Sequence, residues 1–172
     1  MAKSILKGKD LLAVDDESDI LEILDEELAE YEVILDTASS YDEAERKLSS
    51  FTYDLAVLDI MGVRGFDLLK LAVSRKVPVV MLTAHAIGPE ALKTSIELGA
   101  RAYLPKDQLP NVASFLEDVL GLSYQLAWRK SLDRLTGRFG KSFGPNWRKS
   151  EKEFWENFEK HLTLEEATII MQ

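Results

Sequence analysis

The chain has 172 residues, of which 46% are hydrophobic, as is typical of a globular domain followed by a remainder of about fifty residues. The absence of cysteine excludes a disulfide framework and a thiolate metal site. The net charge of −9 disfavours indiscriminate binding to nucleic acid or to a lipid surface. The longest apolar run, near residues 77–82, is only as long as a strand, and residues 1–10 lack a signal-peptide core, so we expect a cytoplasmic protein.

The charge is unevenly distributed and divides the chain near Gly121. Residues 1–120 carry 23 acidic and 12 basic side chains, whereas residues 121–172 carry 7 and 9. All three tryptophans, Trp128, Trp147 and Trp155, lie in the second part. We therefore expect one domain over residues 1–120 and a compositionally different segment over 121–172, called the extension below.

Residues 1–120 alternate short apolar runs with amphipathic segments at helical spacing. Ser40 to Glu43 has the spacing of a capping box, and Pro89 and Gly99 flank another helix at the positions that favour each residue. The last helix of this part is predicted to open at Pro110. Strands are predicted at 10–14, 32–37, 55–58, 78–82 and 101–104, each followed by a helix.

Five such units with nearly continuous apolar strands predict an α/β fold, with a doubly wound five-stranded parallel sheet covered by helices on both faces. In such sheets ligands bind outside the carboxyl ends of the strands. Those strand ends are therefore where functional residues are expected.

Polar side chains follow four of the five predicted strands: Asp15 and Asp16, Asp59, Thr83 and Lys106. Three neighbouring carboxylates would repel one another by roughly 3–4 kcal/mol per pair, so the cluster needs a cation. Oxygen ligands in small number favour Mg²⁺, and a lysine suits a phosphate. A carboxylate beside a metal and a lysine is equipped to attack phosphorus and form an acyl phosphate.

These residues and their surroundings resemble the receiver domain of bacterial two-component response regulators. The resemblance covers residues 8–120 and is carried by Asp15-Asp16, by Asp59 within LAVLDIMGVRGFDLL, by Thr83 within VVMLTAH, and by Tyr103 and Lys106 within GARAYLPK. It implies a flavodoxin-like sheet with strand order 2-1-3-4-5.

The resemblance also implies roles for individual residues. Asp59 would accept a phosphoryl group from a histidine kinase or a phosphotransfer protein. Thr83 and Lys106 would contact the phosphoryl oxygens, together with the backbone N–H of Ala84, and Tyr103 would be the switch aromatic that turns inward when Thr83 moves. The implied Mg²⁺ ligands are Asp16, Asp59 and the backbone carbonyl of Met61, with Asp15 acting through water.

The sequence departs from the family pattern at two places. The family usually has proline directly after the lysine, joined by a cis peptide bond. This chain has Asp107 there, so the Lys106–Asp107 peptide bond is expected to be trans. The loop after Asp59 lacks the common proline and reads Met61-Gly62-Val63-Arg64-Gly65. Met61 and His85 occupy positions that modulate dephosphorylation in the family, and His85 is expected to face solvent.

The extension resembles no output module. Leu122, Leu126 and Leu132 predict that the last helix of the domain runs on past Gly121, with a break at 137–140 and a turn at 143–146. Phe154, Phe158 and Leu162 predict one apolar helical face, and residues 163–166 predict the cap of a final short helix. A helical segment of this size cannot fold alone. Its aromatic residues must therefore pack on the domain, on a second copy or on a target.

We therefore expect a phosphorylation-dependent signalling switch that is not an enzyme, whose extension serves dimerisation or partner docking. The alternative is a DNA-binding response regulator, because residues 129–149 carry seven basic residues and one acid. We favour the interpretation that these basic residues form a solvated face or a face docked on the domain. A phosphatase of the haloacid dehalogenase type is disfavoured, because Met61 stands where that family needs a second aspartate.

Overall fold

The computed structural model describes residues 4–84, 88–143 and 146–171, with side chains described outside 134, 136–143, 150 and 163–171. The strands are β1 (Asp10–Val14), β2 (Ile34–Ala38), β3 (Leu55–Asp59), β4 (Val79–Thr83) and β5 (Ala102–Pro105). The helices are α1 (Ser18–Leu28), α2 (Tyr41–Ser50), α3 (Gly65–Ser74), α4 (Pro89–Glu97), α5 (Val112–Gly121), α6 (Tyr124–Phe143) and α7 (Lys152–Met171).

The five strands form one parallel sheet in the order β2-β1-β3-β4-β5. The predicted doubly wound sheet and its strand order are confirmed. The order changes direction between β1 and β3, which places a crevice at the carboxyl ends of these two strands.

Local signals in the sequence mark the starts of α2 and α4. The Ser40 hydroxyl accepts a hydrogen bond from the backbone N–H of Glu43 at 3.2 Å, so the predicted cap of α2 is present. Pro89 is the first residue of α4, as expected. Pro110 lies instead within a 3-10 segment, Lys106–Asn111, and α5 begins two residues later, at Val112.

Alternate residues of each strand point to opposite faces of the sheet and build two separate cores. One core packs Leu11 and Val57 against α1 and α5. The other packs Leu12 and Leu58 against α2, α3 and α4. Because β1, β3 and β4 are buried on both faces, a polar site on these strands is confined to their ends.

The prediction that the last domain helix continues into the extension is wrong. The α5 helix ends at Gly121, and Leu122 is extended, with φ −109° and ψ 161°. Ser123 then starts a new helix, because its hydroxyl accepts the backbone N–H of Leu126 at 3.3 Å and its carbonyl accepts that of Ala127. The chain therefore changes direction between α5 and α6.

Two further expectations for the extension are also wrong. The backbone of α6 continues through Gly137 and Gly140, where a break was predicted. Each helix-interior glycine costs about 1 kcal/mol relative to alanine, and the packing of α6 against α7 outweighs that cost. The α7 helix likewise runs through residues 163–166 without a new start. Of the predicted turn at 143–146, Gly144 and Pro145 lie outside the described residues, and a turn begins at Asn146.

The described aromatic residues of the extension pack on the domain. Trp128, Trp155, Phe158 and Leu162 are buried in the same cluster as the sheet face that carries Tyr103. This cluster includes the predicted apolar face of α7, with Phe154 partly buried beside it. The extension thus prolongs the layer formed by α2, α3 and α4 over the edge strand β5. Across the described part of the chain, none of the helices combines the length and hydropathy needed to span a membrane.

Because Trp128 belongs to the shared core, replacing it should destabilise the whole chain. We expect Trp128→Ala to lower the free energy of unfolding by about 3–5 kcal/mol, the usual cost of deleting a buried aromatic side chain. Urea denaturation followed by circular dichroism measures this change. Phe51→Ala, at a side chain that is 61% exposed, is the control and should change it by less than about 1 kcal/mol. Separate unfolding of the extension at low urea, with the main transition unmoved, would contradict a shared core.

Candidate functional site

The sheet register brings the predicted polar residues to one edge. Val14 pairs with Leu58, so Asp15 and Asp59 each stand one step further along neighbouring strands. Thr83 pairs with Pro105, so Lys106 follows directly beyond the last pair of the sheet. The residues that were singled out at the strand ends therefore meet around the carboxyl ends of β1, β3, β4 and β5.

Lys106 is the centre of this group. Its Nζ atom lies 3.0 Å from Oδ2 of Asp15 and 3.3 Å from Oδ1 of Asp59. A third carboxylate, that of Glu17, lies 3.5 Å from the same nitrogen. The ammonium group thus neutralises part of the negative charge that the strand ends bring together. The Lys106–Asp107 peptide is trans, as expected from the missing proline, and the lysine still reaches the aspartates.

Asp59 is held in a position that disfavours its own negative charge. Its carboxyl group is almost completely buried, with the residue 3% exposed. Burial, and then the neighbouring charge of Asp15, raises the pKa of Asp59 to about 6, although Lys106 acts in the opposite direction. Above that pH the group is an ionised carboxylate that is poorly solvated by water.

Asp15 is fully buried and carries an unsatisfied oxygen. Burial raises the pKa of Asp15, and the hydrogen bond from the backbone N–H of Glu17 offsets this only partly. Its Oδ2 atom has no hydrogen bond in the described part of the chain and meets only the charge of Lys106. Burial also acts to lower the pKa of Lys106, but Asp15 and Asp59 outweigh it and raise the pKa above its usual range.

Two glycines shape the loop that closes over the acids. Gly62 has a φ of 82°, and a Cβ at this position would lie 2.5 Å from a carboxylate oxygen of Asp16. A Cβ on Gly65 would collide with the backbone carbonyl of Asp59. Both positions therefore require glycine, because the loop between β3 and α3 passes directly against the acidic residues.

The acidic residues fit a hard divalent cation. Carboxylate oxygens of Asp15, Asp16 and Glu17 lie within 4.8 Å of one another. Asp59 is not part of this compact trio but adjoins it through Lys106 and Asp15. The unsatisfied Asp15 oxygen and the all-oxygen donor set match the ligand preference of Mg²⁺.

Thr83 links the acidic site to a buried aromatic ring. Its hydroxyl donates a hydrogen bond to the Ala84 carbonyl at 3.2 Å and accepts one from the hydroxyl of Tyr103, also at 3.2 Å. Tyr103 is fully buried, and this burial raises the pKa of Tyr103 to about 12. The phenol therefore stays neutral and points inward toward the site.

The remaining predicted positions lie as follows. The Met61 side chain is 63% exposed beside the site, and Ala84 is exposed after β4. His85 lies outside the described residues. Sequence reasoning did not single out Glu17 or the two loop glycines. Glu17 directly follows the acidic pair, and that run of three acids was the available signal.

Comparison with known proteins gives a family match and several similar structures. A family model described as the response regulator receiver domain matches residues 11–114. The receiver domain of NtrX from Brucella abortus is 30% identical, with coverage of 66% of this chain and 100% of that chain and a TM-score of 0.54. A putative response regulator from Chloroflexus aurantiacus is 27% identical, with coverage of 66% and 98% and a TM-score of 0.59.

The chemotaxis protein CheY4 of Vibrio cholerae is 26% identical, with coverage of 66% of this chain and 99% of that chain and a TM-score of 0.60. No curated protein matches the chain. The family match ends at residue 114, before the extension begins.

The raised pKa of Asp59 gives a pH-dependent stability with a definite sign. The folded protein holds the proton up to about pH 6 and the unfolded chain only to about 3.8, so stability falls as pH rises through that window. In the absence of metal, Asp59→Asn should therefore raise the free energy of unfolding by about 1–3 kcal/mol at pH 7.5. The gain should shrink as the pH falls toward 4.

Urea unfolding in EDTA at several pH values measures this difference. Asp25→Asn, at an exposed position of α1, is the control and should show no such pH-dependent gain. An Asp59→Asn protein that is less stable than the unmodified protein at pH 7.5 would contradict the electrostatic description of the site.

Proposed function

Because the chain belongs to the response regulator receiver domain family, we propose that it is a phosphorylation-dependent signalling switch that accepts a phosphoryl group on Asp59. The donor would be a sensor histidine kinase or a phosphotransfer protein, as is usual for receiver domains. Members of the family are signalling switches rather than typical enzymes. The observation that supports the proposal best is the position of Asp59, which is buried with its carboxylate 3.3 Å from the Lys106 ammonium group.

The proposed chemistry needs a carboxylate nucleophile whose negative charge is poorly solvated by water. The buried Asp59 carboxylate would attack phosphorus, so that a bond from Oδ to phosphorus forms while the bond from phosphorus to the donor nitrogen breaks. The electron pair of the broken bond stays on that nitrogen. Lys106 lies 3.3 Å from the Asp59 carboxylate, close enough to neutralise charge on a phosphoryl group bound there.

We propose that Asp15, Asp16, Asp59 and the backbone carbonyl of Met61 hold Mg²⁺, with Asp15 acting through water. Receiver domains typically bind this ion at an acidic pocket, and the trio of Asp15, Asp16 and Glu17 lies at the corresponding edge. When bound, the ion would offset the like-charge repulsion of the carboxylates and neutralise phosphoryl oxygens. Glu17 is paired with Lys106 and is not among the proposed ligands.

Thr83 and the Ala84 backbone N–H are proposed to receive the remaining phosphoryl oxygens. The Thr83 proton is directed at the Ala84 carbonyl at 3.2 Å and can be redirected to a phosphoryl oxygen by rotation of the hydroxyl. Because the Thr83 oxygen accepts from Tyr103, that rotation leaves the contact with Tyr103 intact. Tyr103 is accordingly the proposed switch residue.

The burial of the extension favours a docked regulatory segment over a nucleic-acid site. Trp147 lies within the basic run and is buried, and Arg148 pairs with Glu159 at 3.1 Å. Lys130 pairs with Asp118 of α5 at 3.3 Å. Lys130 and Arg148 therefore make contacts within the chain, which supports a docked basic face.

Phosphorylation of Asp59 is tested directly with a small-molecule donor. Incubation with acetyl phosphate and Mg²⁺ should add one phosphoryl group, trapped by acid quench and measured by intact mass. Asp59→Asn should abolish the adduct, because the nucleophile is lost, whereas Asp25→Asn should retain it. An adduct of equal yield in Asp59→Asn would remove the assignment of Asp59 as the acceptor.

Mg²⁺ should stabilise the folded chain through the acidic cluster. At a concentration about a hundred times the dissociation constant, binding to the folded state alone adds roughly 2.7 kcal/mol to the free energy of unfolding. Asp16→Asn should remove most of this gain, and Glu17→Gln should retain it. Urea unfolding with and without millimolar Mg²⁺ measures the gain, and a loss on Glu17→Gln with none on Asp16→Asn would contradict the proposed ligand set.

A further inference from the structure

Tyr103 is buried although it lies on an edge strand. Its side chain is 0% exposed, and β5 has a neighbouring strand on one side only. The extension contributes to this burial together with α4, because α6 packs on β5 and Trp128 is buried in the same cluster as Tyr103. Covering by the extension therefore favours the inward orientation of Tyr103.

The extension is attached to the elements on both sides of Tyr103. The Trp128 indole N–H donates a hydrogen bond to the carbonyl of Ala100, just before β5, at 2.9 Å. Lys93 of α4 forms an ion pair with Glu151 at 2.9 Å.

Further contacts come from the turn before β5 and from α5. The Arg101 guanidinium stands over the ring of Tyr124 at 5.8 Å, and Lys130 reaches Asp118. The extension is thus tied to α4, to the turn before β5 and to α5, the elements that precede and follow Tyr103 along the chain.

Tyr103 also forms a hydrogen bond with Thr83, a residue of the site proposed to bind the phosphoryl group. Its hydroxyl donates to the Thr83 oxygen at 3.2 Å, while the Thr83 proton is the one that a phosphoryl oxygen would receive. With Tyr103 inward, the Thr83 oxygen is held and its proton remains available. The covered position of Tyr103 is therefore compatible with a phosphoryl group on Asp59.

We propose that the extension is an intramolecular clamp that holds Tyr103 against Thr83, so that docking of the extension and phosphorylation of Asp59 stabilise each other. The inference rests on the proposed function of Asp59 and adds a regulatory role for the extension. Because coupling between two sites is reciprocal, a phosphoryl group on Asp59 tightens the clamp by the same factor by which the closed clamp favours the phosphoryl group. While the clamp is closed, α6 lies on β5, so a second copy of the chain cannot pack on the same face of that strand.

The coupling is measured on the full chain by amide hydrogen exchange of residues 124–135, the part of α6 next to β5. The probe is beryllium trifluoride with Mg²⁺, a stable analogue of a phosphoryl group on a carboxylate, compared with Mg²⁺ alone. Tightening of the clamp should slow exchange in this segment by about fivefold or more, the lower end of ordinary allosteric coupling.

A matched pair of glutamates establishes that this exchange reports docking. Glu151→Gln removes the ion pair to Lys93 across the interface and should speed exchange of residues 124–135. Glu156→Gln removes an ion pair to Lys152 within the extension and should leave that exchange unchanged. Equal effects of the two variants would mean that opening of the helix itself is measured, and would overturn the clamp.

A matched pair of tyrosines tests the route of coupling. Tyr103→Phe keeps the ring but loses the hydroxyl that contacts Thr83, so the slowing caused by beryllium trifluoride should fall to less than twofold. Tyr53→Phe removes another buried hydroxyl, bonded to Asp36 at 2.7 Å away from the site, and should leave the slowing intact. Slowing that survives in Tyr103→Phe would overturn the assigned route.

The two proposals fail in different ways. If beryllium trifluoride binds in a manner that Asp59→Asn abolishes, but exchange of residues 124–135 is unchanged, the clamp is wrong and the proposed function stands. If beryllium trifluoride does not bind at all, the proposed function of Asp59 fails, and the clamp fails with it.

Discussion

The ion pairs of Lys106 with Asp15 and Asp59 are the interactions on which the site depends. The strands β1, β3 and β4 are buried on both faces, so their polar side chains gather at the strand ends, and here those ends carry several acids. Without a cation the two buried carboxylates would repel each other at short range. The ammonium group at 3.0 Å and 3.3 Å lets both acids stay at the edge of the sheet, while Asp59 remains poorly solvated.

The same arrangement lowers the free energy of unfolding, because it keeps ionised carboxyl groups buried. A carboxyl group whose pKa is raised by burial destabilises the fold wherever it is ionised. A bound metal ion would offset that cost, whereas a phosphoryl group would add negative charge that Lys106 and the ion would neutralise. If the site binds a metal ion or accepts a phosphoryl group as proposed, either event would change the free energy of the fold, which is what a conformational switch requires.

Much of the fold followed from simple patterns in the sequence. Continuous apolar runs identified all five strands to within two residues, and the strand-end acids identified the site because parallel strands end at the same edge. Glu17 was missed because contact with Lys106 depends on side-chain reach, which spacing does not encode. The turn at Leu122 and Ser123 was missed because the apolar pattern continues through it, although Ser123 is a favourable cap.

The packing of the extension was the least predictable feature, because an apolar helical face does not identify what covers it. The sequence left three choices for that face, and the structure places it on the domain around Trp128 and Trp155. Opposite charge favours this choice, since the domain is strongly acidic and the extension is mildly basic. Ion pairs such as Lys130 with Asp118 cross the boundary between the two parts.

Shared packing also determines how a change at Thr83 would spread. A close-packed core does not deform gradually, so a side chain within it has a few discrete arrangements. Tyr103 belongs to the core that contains Trp128 and Phe158, so in the proposed clamp an outward rotation of its ring would disturb the packing of the extension on β5. In the proposed clamp the contact between Tyr103 and Thr83 is therefore coupled to the docking of the extension, because one packed core contains Tyr103 together with buried residues of α6 and α7.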